Sequence, residues 1–129
     1  MSNPPVELSV DDLAFLTERH LATLTTMRPD GTPHVVAIAF TFDPATATAR
    51  VITGGSSHKA RNVGSGGRVA LCQVDGRRWL TLEGHGVVVA QPAQVRDAEQ
   101  RYAVRYRPPR ENPARVLIAI AVDRVMGHV

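Results

Sequence analysis

The stretch VALCQVDGRRWLTLEGHGVVVA, Val69 to Ala90, decides the fold. Val69 to Val74 is short, apolar and β-prone, and predicts a strand. Asp75-Gly76 is a hairpin-type turn, and Trp79 to Ala90 predicts a long partner strand. Gly84 and Gly86 interrupt that strand, and glycines inside a strand mark bulges or a barrel corner.

Working outward, Leu21 to Met27 alternates threonines with Ala22 and Leu24 before the turn Pro29-Asp30-Gly31-Thr32, a hairpin signal. His34 to Phe42 carries Val36, Ile38, Phe40 and Phe42 at every second position and ends at Asp43-Pro44, which predicts a second strand. Arg50 to Thr53 predicts a third. Between Gly54-Gly55-Ser56-Ser57 and Gly64-Ser65-Gly66-Gly67, His58 to Val63 fits one or two helical turns. Ser9 and Asp12 form a capping-box pattern, predicting a helix from about Val10 to Glu18. Pro92 to Tyr106 sets Val95, Ala98, Tyr102 and Tyr106 near one side of a helix, with Arg96, Glu99 and Arg105 elsewhere, and Pro108-Pro109 stops it. Val116 to Val125 completes the set. The expected fold is mainly β, a single small barrel domain over residues 1–129 with six antiparallel strands and short flanking helices.

The 129 residues suffice for one core; 43% are hydrophobic and 21% charged, which disfavours disorder. Cys72 is the lone cysteine, so an internal disulfide or a four-thiolate metal site is excluded, in keeping with a reducing cytoplasm. The opening Met-Ser-Asn-Pro-Pro lacks signal-peptide order, and the apolar run Val116 to Val122 falls far short of the roughly 20 residues that span a bilayer, so no membrane association is expected.

Nucleophile chemistry finds no support. Cys72 lies inside an apolar strand, where an inert buried thiol is expected, and no Ser/His/Asp signature is present. His20, His34, His58, His85 and His128 stand at no metal-pair spacing, so no metal is expected. Between Asp43 and Asp75 there is no acidic residue, whereas Arg50, Lys59, Arg61 and Arg68 all fall there beside two Gly/Ser clusters. Two readings stand: a site for the phosphate of a ligand, or a flexible turn with a solvated basic face. Six arginines between Arg96 and Arg115 allow the same pair of readings. The net charge of +3 invites nucleic acid, but aromatic residues are only 5% and Trp79, Phe40, Phe42, Tyr102 and Tyr106 form no stacking platform, so no nucleic-acid partner is expected.

Several segments in order, among them Arg19-His20-Leu21-Ala22-Thr23-Leu24, Pro33-His34-Val35-Val36-Ala37, Lys59-Ala60-Arg61-Asn62, Arg78-Trp79-Leu80 and Arg105-Tyr106-Arg107-Pro108-Pro109-Arg110, carry a family resemblance. The chain resembles the split β-barrel flavin and deazaflavin oxidoreductases related to pyridoxamine 5'-phosphate oxidase, within it the coenzyme F420-dependent branch that includes biliverdin reductases. The resemblance covers nearly the whole chain. It implies a homodimer with reduced deazaflavin in a groove at the subunit interface, and hydride transfer from deazaflavin C5 to the central methine of biliverdin to give bilirubin. On this chain the resemblance assigns Thr53, Gly55, Ser57, His58, Lys59 and Asn62 to the cofactor phosphate and tail. It assigns His34, Val35, Val36, Ala37 and Ile38 to the strand that meets the ring, with Gln73 and Trp79 as further cofactor residues. Arg78, Arg107 and Arg110 are candidates to clamp the substrate propionates, and no side chain is expected to act as a nucleophile. An FMN-binding oxidase and a non-catalytic deazaflavin or haem carrier are the alternatives.

Overall fold

The computed structural model describes residues 6–64 and 66–129. The opening pentapeptide and Ser65 of the second Gly/Ser cluster lie outside the described residues. The elements run α1 (Val10–Phe15), β1 (Ala22–Met27), β2 (Pro33–Ile38), β3 (Thr41–Asp43), β4 (Thr48–Gly54), α2 (His58–Val63), β5 (Gly67–Asp75), β6 (Arg78–Val89), α3 (Pro92–Arg105) and β7 (Arg115–His128). Among the described residues, no helix is long and apolar enough to cross a membrane.

Seven strands form one antiparallel sheet in the order β2-β1-β5-β6-β7-β4-β3. β2 and β3 are therefore the two edges, yet only Ala39 and Phe40 separate them in sequence. Three Cα steps span at most about 11 Å, whereas the outer strands of a flat seven-stranded sheet would lie about 29 Å apart. The sheet has to curl until its edges meet. No ladder joins β2 to β3, and the result is a barrel with one open seam.

The β5–β6 hairpin forms as the sequence dictates, with register Asp75↔Arg78 and Gly76 at φ +62 in the first loop position of a two-residue turn. Gly84 also marks a bulge: the β6–β7 register shifts between Glu83 and Gly84, leaving Asp123 as the extra residue, and Arg68 binds the Asp123 carboxylate. The barrel interior holds Phe15, Leu24, Phe40, Val51, Leu71, Leu82, Ile118, Ile120 and Val122. Outside it, Val95 and Ala98 of α3 pack on Leu117, as the helical pattern requires.

Three expectations change. Among the described residues there are seven strands rather than six, because the run from His34 to Phe42 breaks at Ala39–Phe40. Phe40 is buried in the core, its amide donates to the Tyr106 hydroxyl at 3.4 Å, and its carbonyl accepts from Arg105 at 2.6 Å. Its backbone is thus satisfied by side chains from the end of α3, not by a neighbouring strand. α1 ends at Phe15 instead of Glu18: Ser9 and Asp12 cap it reciprocally at 3.0 Å, and the Glu18 carboxylate is drawn to Arg78. Arg105, placed by the helical pattern away from the Val95 side of α3 and open to either reading of the arginine run, is half-buried and turned into the barrel.

Candidate functional site

A cleft of about 610 Å³ lies along the seam. One wall is the end of β2 and the link to β3, Ala37 to Ala39; the opposite wall is Ile52 to Gly54 of β4, with Lys59 from α2. The rim is built by Tyr102 and by the loop after α3, from Arg107 to Arg110 and Asn112, with Arg115 beneath. Both strand walls present unpaired edges here. β2 is laddered only to β1, and β4 beyond Arg50 only to β7.

Electrostatics give the cleft its character. No carboxylate lines it, while Lys59, Arg107, Arg110 and Arg115 do. Arg115 is held by Glu99 at 2.7 Å. Among the described residues, the other three cations make no hydrogen bond or ion pair with the protein, so their charge is available to a ligand. Burial lowers the pKa of Lys59 from its ordinary value.

Beside Lys59 the two histidine rings of His34 and His58 lie 6.0 Å apart. His34 Nδ1 is buried without a hydrogen-bond partner. Burial, then the positive charges of Arg28 and Lys59 and the neighbouring His58 ring, lower the His34 pKa from its ordinary value and so favour the neutral ring. An orphaned buried nitrogen in a basic setting suits an incoming polar ligand. Ser57 caps α2 by accepting from the Ala60 amide at 3.3 Å and takes a hydrogen bond from Thr53 at 3.1 Å. Asn62 ties α2 to β1 through Thr26 at 3.0 Å, and His58 Nδ1 sits 2.9 Å from Arg61. Gly55 donates its amide to Ala114 at 2.9 Å, and a Cβ there would stand 3.3 Å from the same carbonyl oxygen.

Of the residues singled out in the sequence, the structure brings Ala37, Ile38, Thr53, Lys59, Arg107 and Arg110 to the cleft, with His34, Gly55, Ser57, His58 and Asn62 around it. Val36 packs against the core and Val35 is exposed on the outer face of the sheet. Gln73 is fully buried, donating to the Phe15 carbonyl at 2.8 Å and accepting from Arg105 at 2.7 Å. Trp79 lies at the start of β6, on the outer face with Val74. Arg78 does not reach the cleft. It forks onto both oxygens of Glu18 at 2.8 Å, also binds Asp75, and covers the Phe15 ring. Its hydrogen bonds are the chief reason that Glu18 is pulled down to about 2. Glu18, His20 and Asp75 bring ligand-type atoms within 4.8 Å of one another, but the two carboxylates already hold this guanidinium. Ala39, Ile52 and Asn112 also line the cleft without having stood out in the sequence, as do Tyr102, read there as part of a helix face, and Arg115, the last of the six arginines between Arg96 and Arg115.

A family model described as pyridoxamine 5'-phosphate oxidase matches residues 12–128. The chain belongs to the pyridoxamine 5'-phosphate oxidase family. Within that family it is 58% identical over 127 residues to the F420H(2)-dependent biliverdin reductase of Mycobacterium tuberculosis (strain CDC 1551 / Oshkosh), covering 98% of this chain and 93% of that protein. Among solved structures, a conserved hypothetical protein of Mycobacterium tuberculosis superposes with TM-score 0.77 at 22% identity, over 98% of this chain and 88% of the other. An F420 reductase superposes with TM-score 0.67 at 26% identity, over 94% and 98%. The split barrel of this pyridoxamine 5'-phosphate oxidase family member thus has both its seam and its basic cleft on a scaffold shared with reductases.

Proposed function

We propose that the protein is a cytoplasmic F420-dependent oxidoreductase that reduces biliverdin to bilirubin, acting as a homodimer of one split-barrel domain over residues 1–129. The observation that carries this reading is the 58% identity to a biliverdin reductase across nearly all of both chains. The cleft agrees with it: both ligands are anionic, and the lining offers four basic side chains and no carboxylate. The dimer is supported by the outer face of β1, β2, β5 and β6, where Met27, Val35, Val74 and Trp79 are exposed together with Met126 of β7.

The reduced deazaflavin supplies the hydride when bound. The work of the chain is binding and orientation. Lys59, with the neutral His34 and the open amide edges of β2 and β4 near it, would hold the cofactor; Ala37, Ile38 and Ile52 give it a flat, apolar wall. Arg107 and Arg110 at the rim would take the substrate carboxylates, and holding two reactants in register removes several kcal/mol from a barrier of this kind. Arg78 supports the fold through Glu18. No lining side chain is a carboxylic acid or a histidine, and an arginine is too weak an acid to serve, so in this reading the proton comes from water in the open cleft or from Lys59 or Tyr102, the lining groups that carry a transferable proton.

The experiment is anaerobic mixing of the purified protein with reduced coenzyme F420 and excess biliverdin, following bilirubin absorbance and oxidised deazaflavin over many equivalents. Turnover beyond one equivalent is expected. Deazaflavin binding without turnover would make the protein a carrier, and binding of FMN in preference to F420 would return it to the flavin-dependent side of the family.

A further inference from the structure

The loop that rims the cleft carries its two free arginines on either side of a proline pair, Arg107-Pro108-Pro109-Arg110. Each proline fixes its own φ, and each residue before a proline is confined to extended backbone, so Arg107 and Pro108 are both restricted. In such a backbone, side chains three residues apart return to the same side, about 9 Å along the chain. Arg107 and Arg110 are three apart, and both line the cleft.

The arm is also fixed at both ends. Before it, the Arg105 guanidinium donates to the Glu18 carbonyl at 2.7 and 2.9 Å, to the Phe40 carbonyl at 2.6 Å and to Gln73 at 2.7 Å. It also lies over the rings of Phe40 and Tyr106. The Tyr106 hydroxyl donates to the His20 carbonyl at 2.7 Å, and Arg19 binds the Tyr106 carbonyl. After it, Asn112 accepts from the amides of Ala114 and Arg115 at 3.0 and 3.1 Å, and the Ala114 carbonyl accepts from Gly55 of the facing wall. The nearby carboxylate of Glu111 does not line the cleft but a neighbouring depression on the α3 side, which shares Pro109 and Arg110 with it.

We propose that Pro108 and Pro109, between the anchors at Arg105–Tyr106 and Asn112, are positioning residues that preset Arg107 and Arg110 as a pair for a ligand bearing two carboxylates. The pair thereby discriminates dianions from monoanions. The ligand's identity rests on the reductase reading: the two carboxylates come from the propionates of biliverdin or from the glutamates of the deazaflavin tail. A monoanion needs only one arginine and is indifferent to their spacing. A dianion gains from a spacing that is already set, because the ordering cost is removed before binding.

The test is the double variant P108G/P109G, which keeps every charge. Equilibrium affinities are measured by absorbance titration with biliverdin and with its monomethyl ester, and by fluorescence with deazaflavin carrying no glutamate, whose tail ends in one carboxylate, or one glutamate, which brings two. The expected result is a loss of about tenfold for the two-carboxylate member of one ligand pair and less than about twofold for its one-carboxylate member; the pair affected names the source. Pro108→Gly alone, at an exposed position, is the second variant should the double one unfold, with a smaller selective loss expected. An equal loss for both members of each pair, or none for either, overturns the proposal while leaving the reductase reading intact. Failure of the unmodified protein to bind either ligand overturns both.

Discussion

Replacing Gly84 with alanine places a methyl group where two backbones cross. An ideal Cβ at this buried position would lie 2.0 Å from the Ala121 carbonyl oxygen, 2.8 Å from its carbon and 3.0 Å from Val122 Cα. A comfortable contact needs about 3.5 Å, so the β7 backbone must retreat by about 1.5 Å. Nothing flexible is available to absorb the displacement, and the affected rungs are Gly84↔Val122 and His85↔Ala121. Overpacking together with one or two weakened ladder hydrogen bonds costs about 3–5 kcal/mol, a large part of the stability of a domain this size. That corresponds to a fall in Tm of about 12–20 °C. Gly86→Ala, two residues along the same strand, is the internal control. Its Cβ would meet only methyl ends, Val63 Cγ1 at 3.3 Å, Ile118 Cγ2 at 3.5 Å and Val69 Cγ1 at 3.6 Å. Those can rotate or shift, and the expected loss is about 1 kcal/mol. Thermal unfolding by circular dichroism and urea titration would compare the two. Similar losses for both variants would refute the argument that backbone contact, and not burial, makes Gly84 irreplaceable.

Lys59→Gln removes a cleft cation without touching the core, so deazaflavin affinity should weaken about tenfold, ~1.4 kcal/mol, and the deficit should shrink as salt screens the remaining charge. Its Tm should stay close to that of the unmodified protein; a large thermal shift would make the effect structural. The Glu18 carboxylate, held at about 2 against an ordinary 4.5 mainly by the Arg78 hydrogen bonds, binds protons less readily folded than unfolded. Its contribution is complete above 4.5 and is lost as the pH falls toward about 2. Urea midpoints across that range should therefore fall less steeply in Glu18→Gln than in the unmodified protein, and parallel slopes would show that Glu18 is not the titrating group.

Periodicity exposed the strands wherever each side chain answers only to its own ladder, as in β1, β5 and β6. It failed at Phe40, whose amide and carbonyl are taken by Tyr106 and Arg105 from 65 or more residues away; nothing in the local pattern of Phe40 and Phe42 announces that. The cleft was legible in its charges. Lys59 is the lone lysine in an acid-free stretch, and Arg107 and Arg110 flank a conspicuous proline pair. Arg78 shows where such reasoning stops: on paper it matches Arg107, and only folding brings Glu18, sixty positions distant, against it. Ala39, Ile52 and Asn112 carry no chemical signal of their own and became lining because the sheet closes there.

The open seam leaves the peptide groups of the two strand edges beside the cleft unpaired, and in the reductase reading they would form a grip. Every residue type except proline carries the N–H that such a grip uses. Edge side chains that do not pack into the core, such as those of Val35 and Ala37, would then be free to drift while the main-chain contacts persist, and alanine scanning would pass over those contacts. A proline scan along both edges is the mutational language in which this part of the site can be read.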